Sequence, residues 1–599
     1  MFRLVSKESC SSESRWRLFT TARSAAPCSG VRRSATNIAS NDVAMRPFDV
    51  LPGTALLLLG ALAAPSAAGP PAEGSPRFVV TLPAAARGPV TGRVYVALAR
   101  HAVPEPRELA GELATSVPFF GRDVVGLRPG GSVVLDAATP GYPTPALRDI
   151  PAGDYDAQAI LSVYTRYRRA DGHLIWAHQD HWEGQQFGLS PGNRVSPVVR
   201  VHVGARGAPV VLALTRVLPP IAVPRDTRWV VHVRIRSALL SRFWGVPQYL
   251  GATVLLPPDY ARSGDRRYPG VYEQTHFTLD PPFDFDPAAP PPSPAQRNRL
   301  ARYGGRESRY TFTQAWLHGQ APALIAIRIL HPTPYYDDSY AVDSVNNGPA
   351  GTAIVTELIP YLERRFRLAR SGRARFLIGG STGGWEALAL QIQHPDDFNG
   401  AWGLYPDPVD FHRFQLGDLY TDANAFVEPY APWNPAEIGA QRRADGLQVE
   451  TMRGESRLEY VRGSHGRSGE QFNAWDAAWG PIGADGYPRE LWDKHTGRID
   501  RGAVLWSRDH GYDLTAYLVR NWARIGPSLI GKLHVDVGDQ DDYYLNLACY
   551  RMERALARLQ PAPQAVFRYG RPLAPHGWQA ESDLVYLQQM ADRAADVRP

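Results

Sequence analysis

The sequence predicts an all-β sandwich domain followed by a mainly parallel α/β sheet with helices on both faces. From about residue 76 to 216, short apolar strands alternate with turn clusters such as LRPGGS and LRDIPAGDY, which is typical of a β sandwich. From 228 to 595, continuous apolar strands alternate with helix-length segments, which is typical of a parallel sheet buried on both sides. Residues 217–227 lie between the two parts and hold three prolines, so we expect a linker there.

The basic charge of the chain is concentrated at its N-terminus. The 599 residues include 65 Lys+Arg against 59 Asp+Glu, a formal net charge of +6. Residues 1–68 hold eight Lys or Arg and four Asp or Glu, so they carry +4 of this charge and the remainder is near neutral. We therefore expect no nucleic-acid partner. Three cysteines are too few for a disulfide scaffold or a cysteine-rich metal site.

The N-terminal region has the pattern of an export signal. Residues 45–68 begin with Met and Arg, continue through the apolar run TALLLLGALAA and end in small residues, which predicts a signal peptide and a secreted or periplasmic protein. Residues 1–44 are then an upstream extension without structure. An organelle transit peptide is the rival interpretation of this Arg/Ser-rich segment, but Glu8 and Glu13 count against it. The apolar run is too short to cross a bilayer, so we expect no stable membrane insertion.

The individual elements follow from the same patterns. In the first part we expect five strands, at 77–83, 93–99, 132–137, 155–167 and 198–203. In the second part we expect eight, at 229–235, 251–257, 269–274, 323–330, 375–380, 400–405, 532–538 and 565–570. Helices are expected over 350–368, 384–394 and 544–559. The long segment 406–530 then forms an insertion between two strands of the second sheet.

A serine flanked by glycines lies at the end of the strand RFLI. Gly379, Gly380, Ser381, Thr382 and Gly383 have the spacing G-x-S-x-G, directly after that strand and directly before a predicted helix. The turn between them is so tight that side chains two residues either side of the serine would collide. We expect Ser381 to be a nucleophile, and the alternative is a glycine-rich turn with a capping serine.

A serine hydroxyl is a weak nucleophile, so an acid and a histidine must follow it along the chain. The strand KLHVDVG is followed by Asp-Gln-Asp-Asp, in which Asp541 is our choice for the acid, with Asp539 and Asp542 as close rivals. His576 follows the last predicted strand and is the candidate base. On its own, His576 could equally be a surface-loop histidine.

The tetrahedral intermediate of acyl transfer needs backbone N–H donors for its oxyanion. We expect one donor to be the N–H of Thr382, the residue after the nucleophile. The second should come from the loop after the third strand of the sheet, where Phe277 is the choice.

The second part of the chain resembles the esterase D-like α/β-hydrolases, which include S-formylglutathione hydrolases, enterochelin esterases, feruloyl and acetyl-xylan esterases, and mycolyltransferases. The resemblance lies in GGSTGGW at 379–385, DSVNNGPAGTAIVTELIPYLERRFR at 343–367, VGDQDDYYL at 537–545 and Pro-His-Gly at 575–577. It implies an α/β-hydrolase fold and carboxylic-ester hydrolysis by a Ser–Asp–His triad, without a metal or an organic cofactor. Two features differ from relatives: the strand YEQTHF lacks their terminal His-Gly, and the 406–530 insertion is longer.

Three further groups of side chains have a binding interpretation and a structural one. Asp280, Asp284 and Asp286 could bind Ca²⁺, but we favour a solvated loop. His173, His178, Asp180, His181 and Glu183 are metal-capable, but their spacing favours a polar strand edge. The insertion also contains aromatic residues that could stack on a sugar or phenol, although core packing is favoured for most of them: Trp433, Trp475, Trp479, Trp492 and Trp506.

Together these patterns predict an exported serine esterase acting on a small-molecule or polysaccharide-linked ester. Two alternatives stay open. The first is an acyltransferase of the same fold, and the second is a catalytically silent protein that binds carbohydrate or a surface. A peptidase is possible on this fold, but the resemblance points away from it.

Overall fold

A computed structural model describes residues 76–595 apart from residues 102, 114, 205–207 and 429–432. The predicted upstream extension 1–44 and signal peptide 45–68 lie outside the described residues. Within the described part of the chain, no helix has the length and apolar character needed to cross a bilayer.

Two facing sheets make up the first part of the described chain. The smaller has three strands in the order Val210–Ala213, Phe78–Thr81, Ser132–Leu135. The larger has the order Arg216–Val217, Arg194–Val195, Gly153–Val163, Val90–Ala99, Phe119–Leu127, Gly141–Tyr142, with Val199–Val203 also paired to Gly153–Val163. Short helical turns lie at Pro106–Leu109 and Leu147–Asp149. Apolar residues of both sheets, such as Phe78 and Val96, share one buried cluster, so the sheets pack face to face.

The predicted strand 155–167 is wrong as a single strand. The chain forms Gly153–Val163 and then a separate hairpin, in which Thr165–Arg168 pairs with Leu174–Ala177. This hairpin leaves the sandwich because Tyr167 and Ile175 are buried in the core of the second part, where the Tyr167 ring lies 5.1 Å from that of Trp244. The segment 218–227 forms no helix or strand.

The second part is built on an eight-stranded sheet, whose strands we number within that sheet. They are β1 Val230–Ser237, β2 Gln248–Leu255, β3 Gly270–Gln274, β4 Ile325–Leu330, β5 Arg375–Gly380, β6 Ala401–Leu404, β7 Leu533–Gly538 and β8 Val566–Gly570. Their spatial order is β1-β2-β4-β3-β5-β6-β7-β8. Only β2 runs antiparallel to its neighbours, and the other pairs are parallel. This confirms the predicted mainly parallel sheet, which has the strand order of an α/β-hydrolase fold.

Helices cover both faces of this sheet. The helix α1, Thr382–Gln393, begins directly after β5 and is two residues longer at its start than predicted. The predicted helix 350–368 consists of Ala350–Ala353, a π-helical turn at Ile354–Leu358 and Ile359–Arg365, with Pro360 in the first turn of the last piece. The remaining helices outside the insertion are Ala238–Trp244, Pro294–Leu300, Arg309–Leu317, Asn546–Leu556 and Asp583–Ala595. Short 3₁₀ turns lie at Tyr260–Arg262, Pro282–Asp284, Ala301–Tyr303, Gly372–Ala374 and Gly526–Ser528.

The predicted insertion joins β6 to β7. After a 3₁₀ turn at Phe411–Arg413 it contains a hairpin, Gly439–Arg442 with Gln448–Thr451, and four helices: α2 Met452–Arg462, α3 Gln471–Trp479, Arg501–Asp509 and Leu514–Ile525. Its tryptophans mostly pack in the core, as expected. Trp475, Trp479 and Trp492 are fully buried, whereas Trp433 is 98% exposed.

A buried arginine links the sandwich to this insertion. The guanidinium of Arg93 donates to the carbonyl oxygens of Val461 (2.8 Å) and Tyr460 (2.9 Å) at the end of α2. Its third contact is an ion pair with Asp123 at 2.7 Å, within the sandwich. Because a buried charge must be hydrogen-bonded to be tolerated, these contacts fix the end of α2 against the sandwich.

Candidate active site

Ser381 lies at the sharp turn between β5 and α1. Its backbone has φ 58° and ψ −122°, a strained conformation for any residue with a side chain. The turn leaves Ser381 partly exposed, whereas the following residues of α1 are buried. The arrangement is the strand–turn–helix context in which a serine nucleophile is presented to solvent.

The glycines around Ser381 are required by close backbone contacts. A Cβ on Gly383 would lie 1.9 Å from the carbonyl oxygen of Gln274, at the end of β3. A Cβ on Gly379 would lie 2.3 Å from the carbonyl oxygen of Gly383. At Gly380 the obstacle is a side chain, because a Cβ would lie 2.3 Å from the Tyr405 hydroxyl. The glycine spacing in the sequence therefore reflects steric exclusion on both sides of the turn.

Asp541 is the predicted acid that contacts His576 through its side chain. The Nδ1 of His576 lies 2.8 Å from the Oδ2 of Asp541. The other oxygen of Asp541 accepts from the backbone N–H groups of Tyr543 (3.0 Å) and Leu545 (3.2 Å), and the residue is fully buried. This carboxylate is thus held in place by bonds to both of its oxygens.

The two rival acids have other partners. The Oδ1 of Asp539 accepts from the backbone N–H of Ala574 at 2.9 Å. The Oδ1 of Asp542 lies 3.5 Å from the backbone nitrogen of His576, and burial raises the pKa of this carboxyl to about 6. Geometry therefore separates three acids that spacing alone did not.

The His576 imidazole is mostly buried but is readily protonated. Its side chain is 15% exposed and contacts the rings of Tyr405 and Tyr543, with centroids 4.7 and 4.9 Å away. Burial opposes protonation, but the charge and hydrogen bond of Asp541 outweigh it, so the pKa of His576 is raised. An imidazole in this environment can accept a proton and hold it in a stabilised ion pair.

Tyr405 connects this imidazole to the nucleophile turn. Its ring meets the edge of the His576 ring, and its hydroxyl lies against Gly380, the residue before Ser381. Among the described residues, none forms a hydrogen bond with the Ser381 hydroxyl. The structure therefore brings Ser381, His576 and Asp541 to the same edge of the sheet, with the histidine–serine bond not formed.

The predicted oxyanion donors differ in how the structure places them. Thr382 is the first residue of α1, so its N–H has no partner within the helix. The backbone of the loop after β3 runs beside the turn, because the Thr275 nitrogen lies 3.0 Å from the position a Cβ on Gly383 would take. The Phe277 side chain faces the other way, with its ring 5.2 Å from that of Trp182.

A buried polar network supports Thr382 and was missed by sequence reasoning. The Oγ1 of Thr382 donates to Asp407 at 3.0 Å, and Asp407 also accepts from Tyr340 (2.7 Å) and Gln471 (3.0 Å). Trp475 of α3 donates its indole N–H to the Tyr340 hydroxyl at 2.7 Å. These residues come from separate segments, including the insertion, so no local motif identifies them.

Two buried carboxyl groups lie behind the loop that follows β3. Both oxygens of Glu386, in α1, lack a hydrogen-bond partner among the described residues, and the side chain is fully buried. Burial together with the nearby Asp338 raises the pKa of Glu386 well above its ordinary value, while that of Asp338 rises to about 6. Since two adjacent buried carboxylates repel each other, a proton held on Glu386 is the state that this environment favours.

Asp338 also faces a charged histidine. The Nδ1 of His276 lies 3.2 Å from Asp337 and 3.4 Å from Asp338, and its side chain is 45% exposed. Partial desolvation opposes protonation, but the two carboxylates hold the pKa of His276 well above its ordinary value. His276 lies between the two residues Thr275 and Phe277, so this ion pair anchors the loop from which the second oxyanion donor is expected.

Within the described part of the chain, three groups of side chains are close enough to bind a cation: His178, Asp180 and Glu183; His276, Asp337 and Asp338; His331, Asp338 and Glu386. In the third group, the Nδ1 of His331 accepts from the backbone N–H of Ser339 at 2.9 Å. The Nε2 of His331 then carries the proton and faces Gln274 at 3.3 Å, so it offers no lone pair to a metal. This donor set does not fit a metal centre.

The first of these groups corrects the predicted polar strand edge. His178 and Glu183 are buried in a loop after the hairpin and bond to each other at 2.7 Å. Asp180 accepts from the backbone N–H groups of Trp182 and Gly184, each at 2.7 Å. The prediction was wrong because these polar groups satisfy one another inside the protein. Asp280 is exposed and Asp284 lies 3.8 Å from Arg328, as expected of a solvated loop.

The protonated state of Glu386 gives a prediction for stability. Because its pKa is raised in the folded state, Glu386 favours folding at low pH and this contribution is lost as pH rises above the unfolded pKa. A Glu386→Gln substitution keeps a neutral polar side chain of the same size at this position and removes this dependence. We compare the melting temperature of the variant with that of wild type by thermal denaturation. The difference, variant minus wild type, should be about 1–4 °C larger at pH 8 than at pH 5. The exposed Glu112→Gln serves as the control, and a difference that does not vary with pH would show that Glu386 is ionised.

Residues 340–473, which include Ser381, match the family model described as "Putative esterase". No curated protein is similar enough to the chain to match it. Among solved structures, a ferulic acid esterase is 15% identical, with 61% of this chain and 97% of that chain covered and a TM-score of 0.34. An S-formylglutathione hydrolase from Agrobacterium tumefaciens is 12% identical, with 62% and 98% covered and a TM-score of 0.30.

A fluorophosphonate-binding serine hydrolase from Staphylococcus aureus is 13% identical, with 60% of this chain and 98% of that chain covered and a TM-score of 0.29. The family match over 340–473 confirms the predicted esterase resemblance and identifies the chain as a carboxylic ester hydrolase.

Proposed function

We propose that this chain is an exported serine esterase that hydrolyses a carboxylic ester through Ser381, His576 and Asp541. The observation that carries the proposal is the 2.8 Å contact between His576 and Asp541 at the same edge of the sheet as the strained turn at Ser381. A base oriented by a buried acid, at the same edge as a partly exposed serine in such a turn, is the arrangement that activates a serine nucleophile.

In the acylation step, the Oγ of Ser381 attacks the carbonyl carbon of the ester while the Nε2 of His576 takes the hydroxyl proton. Asp541 accepts a hydrogen bond from the Nδ1–H of His576. This bond orients the imidazole and stabilises its protonated form. As the tetrahedral intermediate collapses, the bond to the alcohol breaks and His576 gives the proton to the leaving alkoxide. The products of this step are the free alcohol and an acyl group on Ser381.

In the deacylation step, water replaces the alcohol. His576 removes a proton from the water as its oxygen attacks the acyl carbon, and then returns this proton to the Oγ of Ser381. The carboxylic acid leaves and the enzyme is restored. In both steps the oxyanion accepts from the N–H of Thr382, with a second donor from the loop that contains Phe277. The hydrogen bond from Thr382 to Asp407 supports this role, because it restrains the start of α1.

Export is a separate proposal that rests on the sequence of residues 45–68. A charged start, a short apolar run and small residues favour cleavage and a secreted or periplasmic enzyme. Mass spectrometry of the protein recovered from its native host would test this, since we expect the mature chain to begin near residue 69. A mature N-terminus upstream of residue 45 would contradict it.

The role of Ser381 is tested by hydrolysis of short p-nitrophenyl esters. Ser381→Ala should lower kcat by at least about 10³-fold and leave the fold intact, because a small residue replaces a partly exposed hydroxyl. Ser371→Ala, an exposed serine of the same domain, should retain wild-type activity. Full activity in Ser381→Ala would rule out the proposed nucleophile.

The three acids are distinguished by single substitutions. Asp541→Asn should lower kcat by roughly 10³–10⁴-fold, because the imidazole loses the acceptor that orients it. Asp539→Asn should have a small effect, since that carboxylate accepts from the Ala574 backbone and not from the His576 ring. In wild type, His576 must be neutral to act as a base, so kcat/KM should rise with pH through an apparent pKa above 6.5. In Asp541→Asn this apparent pKa should fall. A greater loss of kcat in Asp542→Asn than in Asp541→Asn would show that Asp542 is the acid.

A further inference from the structure

An arginine with open donors lies beside the His576 loop. We propose that Arg306 binds a carboxylate on the substrate, so that the preferred ester carries a negative charge away from the scissile bond. This inference rests on the proposed esterase function and adds a substrate class to it.

The backbone around Arg306 is fixed to the segment that carries His576. Gly304 pairs with Gln579 as an isolated β-bridge, and the N–H of Gly305 donates to the Gln579 carbonyl at 2.8 Å. In return, the Gln579 N–H donates to the carbonyl of Tyr303 at 3.3 Å. The position of Arg306 relative to His576 is therefore set by backbone hydrogen bonds on both sides.

The guanidinium itself lies against the residue that follows His576. The Nη1 of Arg306 is 3.4 Å from the position that a Cβ on Gly577 would take. Tyr405 lies between Arg306 and the turn at Ser381. It interacts electrostatically with Arg306, packs on His576 and lies against Gly380. Arg306 thus lies beside the segment that carries His576 and close to Tyr405, which packs on the His576 ring.

The donors of Arg306 are not used by the protein. Its side chain is exposed, and it forms no ion pair and no side-chain hydrogen bond with any described residue. Nearby Arg328 shows the contrasting case, since both of its donors to Glu273 lie at 2.9 Å. A guanidinium left in this state offers a planar pair of N–H donors that matches a carboxylate.

Two carboxylates, Asp583 and Asp284, interact electrostatically with Arg306, and each has another partner. Asp583 accepts from the Gln579 amide at 3.0 Å, and Asp284 lies 3.8 Å from Arg328. Burial raises the pKa of Asp583 to about 6. Neither acid forms an ion pair with Arg306, so both leave its N–H groups open to a ligand.

Two matched pairs of esters test the inference. In the first pair, monoethyl adipate carries a carboxylate on its acyl side, and ethyl hexanoate is the neutral member. In the second pair, 4-acetoxybenzoate carries a carboxylate on its alcohol side, and its methyl ester is the neutral member. In at least one pair, the kcat/KM of wild type should be higher for the charged member than for the neutral one, after the rate of spontaneous hydrolysis is subtracted. Arg306→Gln should lower kcat/KM for that member by about 10–100-fold and change the neutral member less than about twofold, as expected for one charge-assisted contact.

Two further variants separate charge recognition from a structural effect. Arg306→Lys should restore part of the preference, because it keeps the charge but loses the planar pair of donors. Arg302→Gln, an exposed arginine four residues earlier in the chain, should leave kcat/KM for both members unchanged. An equal loss on charged and neutral esters, or no loss in either pair, would overturn the role of Arg306. If wild type cleaves neutral esters and Ser381→Ala does not, the esterase proposal stands whatever the outcome at Arg306. If wild type cleaves none of the four esters, the proposed function and this inference both fail.

Discussion

The close contact between the turn at Ser381 and the end of β3 constrains the rest of the candidate site. With only 1.9 Å between the Gln274 carbonyl oxygen and a Cβ at position 383, the backbone after β5 must pass directly against β3. This forces Ser381 into its left-handed conformation and begins α1 one residue later. The N–H of Thr382 and the loop after β3 are thereby held at the same edge. One steric constraint thus positions Ser381 and both expected sources of oxyanion donors.

The sandwich and the insertion support this edge from outside the sheet. Arg93 fixes the end of α2, and Gln471 at the start of α3 reaches Asp407 and Thr382. On the other side, Trp182 packs on Phe277, and the Gln185 amide donates to the carbonyl of Thr333 at 2.6 Å. Both parts therefore contact segments that border the candidate site.

Most of the sheet and its nucleophile turn could be predicted because they depend on local patterns. Continuous apolar strands, glycine spacing and the position of His576 after β8 are readable in single segments. The strand Phe119–Leu127 was not predicted, since Gly121, Arg122 and Asp123 interrupt its alternation. The network of Tyr340, Asp407 and Gln471 was also missed, because its members are brought together only by the tertiary fold.

The choice among Asp539, Asp541 and Asp542 also depends on the tertiary fold rather than on local sequence. All three follow β7 within four residues, so spacing does not separate them, and only the direction of each side chain does. The three metal-capable groups that contain a histidine show the reverse case. Their residue types suggest ligands, but in the folded chain the donors and acceptors pair internally, as in the bond between His178 and Glu183.

Covalent labelling tests the central claim most directly. Because a fluorophosphonate reacts with an activated serine, the full chain should gain one phosphonyl group, and peptide mass spectrometry should place it on Ser381. His576→Ala should abolish this labelling, since the hydroxyl loses its base. Modification of a different residue, or labelling of Ser381 that does not depend on His576, would contradict the account.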